Sequence, residues 1–355
     1  MRVKDRIKFI DIFKAIVMIL VILGHINFAN SVLKAWIYAF HMPAFFFISG
    51  ATLKNIEGPH EKCAAYIYNK FKCIMIPYFL WAIIYAKFSY VNLLKIFYGS
   101  YHTISSSGSL SSLWFLPTLF ISIVLFVTIQ FSLKRKFNIC IKLIILAFSF
   151  LIAIKLPVVD LGYPWSLNIA MMAFCYLVAG NILFPYIQQF RQNCAQFVRS
   201  KRTIIYLSAI LIFFVGSLLY KYNCLYMNGY VLMANAQYGN ELLFLINAFF
   251  GIGLIIFVSI ILDELISKQD GYLPNWLLFV GRNTMVIFAV HKPIISLFKE
   301  LFTWVSVNVY LQLFITCLFT LVLSCLMSLF VNKSIPILAG KNNSLTNVSE
   351  DFRYG

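Results

Sequence analysis

Apolar residues run in blocks of about 20 along most of the chain, the length a helix needs to cross a bilayer core. Ten such blocks fall at residues 8–29, 36–53, 73–91, 113–132, 139–156, 165–186, 203–220, 240–262, 275–297 and 304–331. They predict an all-α, polytopic membrane helix bundle of about ten transmembrane helices. One domain covers 1–340, and a short polar tail follows at 341–355. Lys155 and Pro157 close the fifth block early, and Pro43, just after His41-Met42, predicts a kink in the second. No internal repeat is visible. Between blocks, residues 92–112 carry the run Ser105-Ser106-Ser107-Gly108-Ser109, which predicts a flexible loop. Residues 221–239 are rich in Tyr, Asn and Gly. That composition suits a solvated loop, and equally a surface that stacks on and hydrogen-bonds a sugar.

Composition agrees with the pattern. The chain of 355 residues is 61% hydrophobic and 12% charged, against about 45–50% and about 25% for soluble domains. A soluble fold of this size could not hide that much apolar surface. The net charge of +17 would fit nucleic-acid binding in a soluble chain, but here it sorts by topology. With the N-terminus inside, 20 of the 29 Lys and Arg lie on the inner side. These include Arg2, Lys4, Arg6 and Lys8 of the N-terminal tail, Lys70 and Lys72, and the run Lys134-Arg135-Lys136. Lys34, Lys87, Lys95, Lys155, Lys221, Lys292 and Lys299 lie outside, and Lys14 and Arg282 fall within the membrane. The positive-inside rule therefore predicts both termini to be cytoplasmic. Most of the six tryptophans sit at block starts, as an interfacial belt requires. The first block carries Asp11 and Lys14 and lacks a small-residue cleavage site, so it does not read as a cleavable signal peptide. Eight cysteines without a CxxC pair read as buried free thiols, with neither a disulfide framework nor a metal site.

Ionisable groups inside spanning helices are costly and mark function. The first block holds Asp11, Lys14 and His25. Eleven residues at about 100° each bring Lys14 and His25 onto one face, about 16 Å apart along the helix. Asp11 and Lys14, at i and i+3, are spaced to pair. A structural ion pair explains them as well as a functional stripe does. His25 reads either as an imidazole satisfied by a backbone carbonyl or as a neutral base acting on an alcohol. Arg282, in Gly281-Arg282-Asn283-Thr284, requires an anion: Asp11 or a ligand phosphate would serve. His291 follows nine residues later. No HExxH, Walker-type or GxSxG motif appears.

Six motifs in order have a familiar look. They are Asp11-Ile12-Phe13-Lys14 through Leu23-Gly24-His25, then Phe40-His41-Met42-Pro43-Ala44-Phe45-Phe46-Phe47-Ile48-Ser49-Gly50, and Ile76-Pro77-Tyr78 after a basic inner loop. Leu113-Trp114-Phe115-Leu116-Pro117, Tyr176-Leu177-Val178-Ala179-Gly180-Asn181, and Val280-Gly281-Arg282-Asn283 with His291 complete the series. Through them the chain resembles the integral-membrane acyltransferase 3 family, in its fucose 4-O-acetylase-like branch. Lys14 stands where the commonest family pattern has Arg, and a lysine keeps the charge without bidentate recognition. The fused extracytoplasmic esterase-like domain of some relatives is not expected here.

The resemblance implies transfer of an acyl group, acetyl by default, from cytoplasmic acyl-CoA to a hydroxyl of an envelope carbohydrate or lipid-linked glycan. It implies a bacterial cytoplasmic membrane, acetyl-CoA as donor substrate and no metal. A homo-oligomer or a glycan-synthesis partner also fits. Set into that reaction, His25 is the catalytic candidate, and Lys14, Arg282, Lys70 and Lys72 are the donor-binding ones. Asp11, His41, Trp114, Asn181, Asn283 and His291 support them, with Asn181 or Asn283 as a candidate oxyanion donor. Direct transfer and an acyl-histidine intermediate both remain open. A glycan transporter or flippase is the rival reading, disfavoured by the missing repeat; a non-catalytic subunit of a polysaccharide-synthesising complex is a third. The expected orientation has a simple check. An impermeant reagent should label a tag placed within 92–112 in intact cells, and labelling only after lysis would reject it.

Overall fold

The structure, a computed structural model, describes residues 7–341 apart from 27–30, 55–59, 87–89, 106–107, 134–136, 158, 195–198, 228, 269–272 and 305–307. Arg2, Lys4, Arg6, the Lys134–Lys136 run, Ser106, Ser107 and all of the polar tail except Lys341 lie outside the described residues. Among the described residues there are helices and one isolated bridge, Leu232–Gln237, but no strand.

In chain order the helices are α1 (Lys8–His25), α2 (Ser31–Tyr38), α3 (His41–Ala51), α4 (His60–Ala86), α5 (Tyr90–Tyr98) and α6 (Tyr101–Ser105). After a 3₁₀ turn at Gly108–Trp114 come α7 (Phe115–Leu133), α8 (Ile139–Lys155), α9 (Leu167–Cys194), α10 (Arg199–Ser217) and α11 (Tyr220–Cys224). The last are α12 (Glu241–Lys268), α13 (Leu273–Arg282), α14 (Thr284–Trp304) and α15 (Val309–Ser334), closed by a 3₁₀ turn at Pro336–Ala339. Among the described residues, seven segments are long and apolar enough to cross a membrane: Val32–Ala51, His60–Ala86, Leu110–Leu133, Pro164–Gln192, Ile204–Cys224, Glu241–Leu265 and Val309–Ser334. The other three expected spans coincide with α1, α8 and the α13–α14 pair. Charges thin out the apolar run of α1, α8 has 17 residues, and the ninth block is interrupted at Asn283.

Several expectations shift for local reasons. The second block breaks at Ala39-Phe40, ahead of the proline. Pro43 falls in the first turn of α3, where no intrahelical N–H is required, so it starts a helix instead of kinking one. The expected flexible segment 92–112 is largely helical, as α5, α6 and the following 3₁₀ turn. Its Ile96, Ile104 and Leu110 are buried in the core, as is Leu113 just beyond it, which anchors the segment. Not every thiol is buried either: Cys140 is exposed on α8.

Helices α1, α3 and α9 form the centre, while α8, α10 and α15 turn side chains such as Phe148, Leu211 and Phe330 outward. An outward apolar face is stable against hydrocarbon and not against water. In lipid there is no hydrophobic drive between helices, so association depends on close packing and polar contacts. Glycines supply the close packing. A Cβ on Gly50 would overlap the Leu177 carbonyl, and one on Gly180 would overlap the Phe47 carbonyl, so α3 and α9 cross backbone to backbone. Polar pairs add to this: Arg191 meets Asp263 at 2.8 Å between α9 and α12, and Tyr206 meets Glu264 at 3.0 Å between α10 and α12.

Gly180→Ala should therefore lower thermal stability in detergent by at least about 1–3 kcal/mol, the usual cost of overpacking. A thermal midpoint equal to wild type would show that the crossing tolerates a methyl group.

Candidate active site

Helix α1 carries charge at one end and an imidazole at the other. Near its start Asp11 is buried, with 2% of its side chain exposed, and accepts a hydrogen bond from Arg282 Nε at 3.1 Å. The pairing follows from a second close crossing. A Cβ on Gly281 would overlap the Asp11 carbonyl, so α13 lies directly on α1 and the next residue reaches the carboxylate. Arg282 keeps 45% of its side chain exposed. Of the two anions considered for this guanidinium, the structure supplies Asp11. Lys14, one turn along α1, is partly buried.

Asn283 interrupts the ninth block. Its amide nitrogen donates to Phe279 O at 2.8 Å, and its amide oxygen accepts from Asn332 of α15 at 2.7 Å. Both halves of the side chain are engaged in holding the break and fixing α15 against it. Asn181 is engaged elsewhere, accepting from Lys142 at 2.7 Å and donating to Gly50 O at 3.4 Å. It joins α8, α9 and α3. Lys70 and Lys72 lie along α4, each over a tyrosine four residues back, at 5.2 Å from the Tyr66 ring and 4.2 Å from the Tyr68 ring. The neighbouring Cys73 carbonyl abuts Gly340, in the turn after α15. That contact sets the two lysines at the Asp11–Arg282 end of the bundle.

At the other end, about 21 Å along α1, three histidines gather. His25 and His291 meet edge to face with ring centroids 4.9 Å apart. Tyr38 bridges to the third, 5.9 Å from His25 and 4.9 Å from His41. Each imidazole has Nδ1 against a carbonyl oxygen: His25 on Val21 at 2.8 Å, His41 on Ile37 at 2.9 Å, His291 on Phe288 at 2.7 Å. A carbonyl only accepts, so Nδ1 carries the hydrogen and Nε2 carries the lone pair in all three. His291 Nε2 is buried with no hydrogen-bond partner. The carbonyl bond considered for His25 is thus present, and it is the bond that prepares Nε2 to take a proton.

Two cavities share His25, Tyr38 and Lys292. The larger, of about 530 Å³, is completed by Lys34, Lys299, Gln312 and Thr316. The smaller, of about 130 Å³, is completed by His41, Trp114, Tyr101, Ser111 and Tyr230. Lys34 Nζ stands 4.4 Å from the Tyr230 ring centroid and 5.4 Å from that of Tyr38, and Lys292 Nζ donates to Ser111 Oγ at 2.7 Å. His25, His41, His291 and Trp114 are therefore brought together, while Asp11, Lys14, Arg282, Lys70, Lys72 and Asn283 belong to the far end.

Lys34, Tyr38, Lys292, Lys299 and Tyr230 were not singled out as site residues by the sequence. The nearest signals were the His291-Lys292 dipeptide and the Tyr-rich composition of 221–239. Among the described residues no group of three His, Cys, Asp or Glu is placed to hold a metal ion.

A family model described as an acyltransferase domain matches residues 7–329, a stretch that contains both ends of α1 and both cavities. No curated protein matches the chain.

Removing the guanidinium takes a charged partner from a buried carboxylate. With Arg282 half exposed, Arg282→Ala should cost about 1–3 kcal/mol of stability, and Asp11→Ala added to it should restore part of the loss. A double variant no more stable than the single one would show that the pair does not carry that energy.

Proposed function

The chain belongs to the acyltransferase-domain family, and from that membership we propose that it transfers an acetyl group from cytoplasmic acetyl-CoA to a hydroxyl of an envelope carbohydrate. It is a membrane acyltransferase, with apolar helices to match; the donor, the acceptor, the bacterial cytoplasmic membrane and the likeness to fucose 4-O-acetylases are our reading. One observation carries it. His25 lines a cavity and has its Nδ1 turned to the Val21 carbonyl, on the same helix whose other end is flanked by the cations that suit a polyanionic donor.

In this reading the donor phosphates sit at the Arg282 end, where 45% of the Arg282 side chain remains exposed beside its contact with Asp11. Lys70 and Lys72 share that end, and Lys14 lies on the way along α1. The flexible pantetheine arm has to bridge the rise of about 21 Å between Asp11 and His25. At the His25 end the acceptor hydroxyl gives its proton to Nε2 while its oxygen bonds the thioester carbonyl carbon. The tetrahedral intermediate collapses with cleavage of the C–S bond, and His25 returns the proton to the departing thiolate. Direct transfer of this kind uses the tautomer set by Val21 and leaves the imidazole unchanged after each turnover. His291 packs edge-on against His25 and fixes the ring's position.

Purified protein incubated with radiolabelled acetyl-CoA and a crude glycan-lipid extract should release free coenzyme and transfer label. In His25→Ala the rate should fall by about 100-fold or more, the usual weight of a positioned base. An unchanged rate would remove His25 from the chemistry, and absence of donor turnover with any acceptor would favour transport. Arg282→Ala and Lys14→Ala should weaken donor binding more than acceptor binding; unaltered coenzyme affinity in both would reject the phosphate route.

A further inference from the structure

We propose that the larger cavity beside His25 reads negative charge on the acceptor, so that the substrate is a saccharide bearing a carboxylate or phosphate and not a neutral glycan. This rests on the acceptor side of the reading above and adds its chemical class.

Lys34 from α2 and Lys292 and Lys299 from α14 line that cavity, and its described lining contains no Asp or Glu. Three like charges around one space repel one another, and an anionic ligand relieves that repulsion. The convergence is also unexpected from topology. Seven of the 29 basic residues sort to the outer side, and three of those seven meet here.

Two of the three ammonium groups are oriented by their neighbours. Lys292 is held by Ser111, and Lys34 lies over the Tyr230 and Tyr38 rings. Lysine offers a point charge on a flexible stem, which suits carboxylates and phosphates presented at varied angles along a polymer. The rest of the wall suits a sugar: Gln312 and Thr316 offer amide and hydroxyl groups, and Tyr38 offers an aromatic face. A volume of about 530 Å³ lies within the range of pockets that enclose small molecules. An acid group held by the lysines would leave a neighbouring hydroxyl of the same residue facing His25, which lines the same cavity.

The donor is the other source of anions. Its phosphates are assigned to the Arg282 end, about 21 Å away along α1, so the two sources can be separated by binding alone. Full-length protein in zwitterionic nanodiscs is titrated with a uronate-containing tetrasaccharide, with maltotetraose as the neutral match, and with adenosine 3′,5′-bisphosphate as the donor fragment. The uronate probe should bind about tenfold more tightly than maltotetraose at low salt, and the margin should shrink as salt rises. Lys34→Gln, Lys299→Gln and Lys292→Met should each weaken the uronate probe by about tenfold. The same substitutions should leave the bisphosphate unchanged, and Lys299→Arg should restore uronate binding.

Equal affinity for charged and neutral probes, including no measurable binding of either, overturns the proposal. So does loss of bisphosphate binding in the lysine variants, which would give the cavity to the donor. Lys299 is exposed, so Lys299→Gln keeps the test valid if Lys292→Met fails to fold. No acyl transfer enters the measurement. Uronate selectivity without coenzyme turnover would sink the proposed chemistry and leave this inference standing.

Discussion

A carboxylate enclosed by helices is tolerated only if a cation comes to it, and at Asp11 that depends on an absent side chain. Gly281 lets the backbone of α13 touch the backbone of α1 at the carboxylate itself, and Arg282 follows in sequence. The rest of the arrangement is built outward from this contact. It fixes where α13 ends and therefore where α14 begins. From there α14 runs alongside α1, and the nine residues from Arg282 to His291 set the second imidazole beside the first. Were the crossing wider, the ion pair and the histidine pair would be lost together.

The His25 end shows a different economy. Three imidazoles from α1, α3 and α14 each give Nδ1–H to a carbonyl three or four residues back, His25 and His291 within their own helices and His41 across the break to Ile37 of α2. In a helix those carbonyls are already acceptors, so the second bond needs no extra partner in the bundle. The three rings share one tautomer because each meets a main-chain acceptor three or four residues back. His25 and His41 line the cavities, whereas His291 Nε2 is buried beside them.

Much of this was legible in the chain. The apolar blocks located the helices, and the spacing of Lys14 and His25 put polar groups on one face of α1. The ordered motifs pointed to the family that the comparison then gave. Local spacing is silent on distant partners: i, i+3 placement draws attention to Asp11 with Lys14, and Arg282 reaches Asp11 from 271 positions away. Asn181 and Asn283 looked like candidates for an oxyanion because side-chain amides are versatile, and only three-dimensional packing shows what they hold. Lys34 and Tyr38 gave no signal because lysines and tyrosines near span ends look like ordinary interfacial residues, and Tyr230 showed only through the composition of 221–239. The helical character of 92–112 was hidden for a related reason. Its serines dominate the composition, while three separated apolar residues, Ile96, Ile104 and Leu110, do the anchoring.

The interruption at Asn283 has a consequence for how such a protein can diversify. Below it, α13 holds the ion pair; above it, α14 contributes Lys292 and Lys299 to the cavity wall. A single unbroken helix would carry any shift at one end to the other. The one-residue gap, clamped by Asn332, works as a seam. Substitutions in the cavity wall of α14 can therefore accumulate while the ion pair of α13 stays in place.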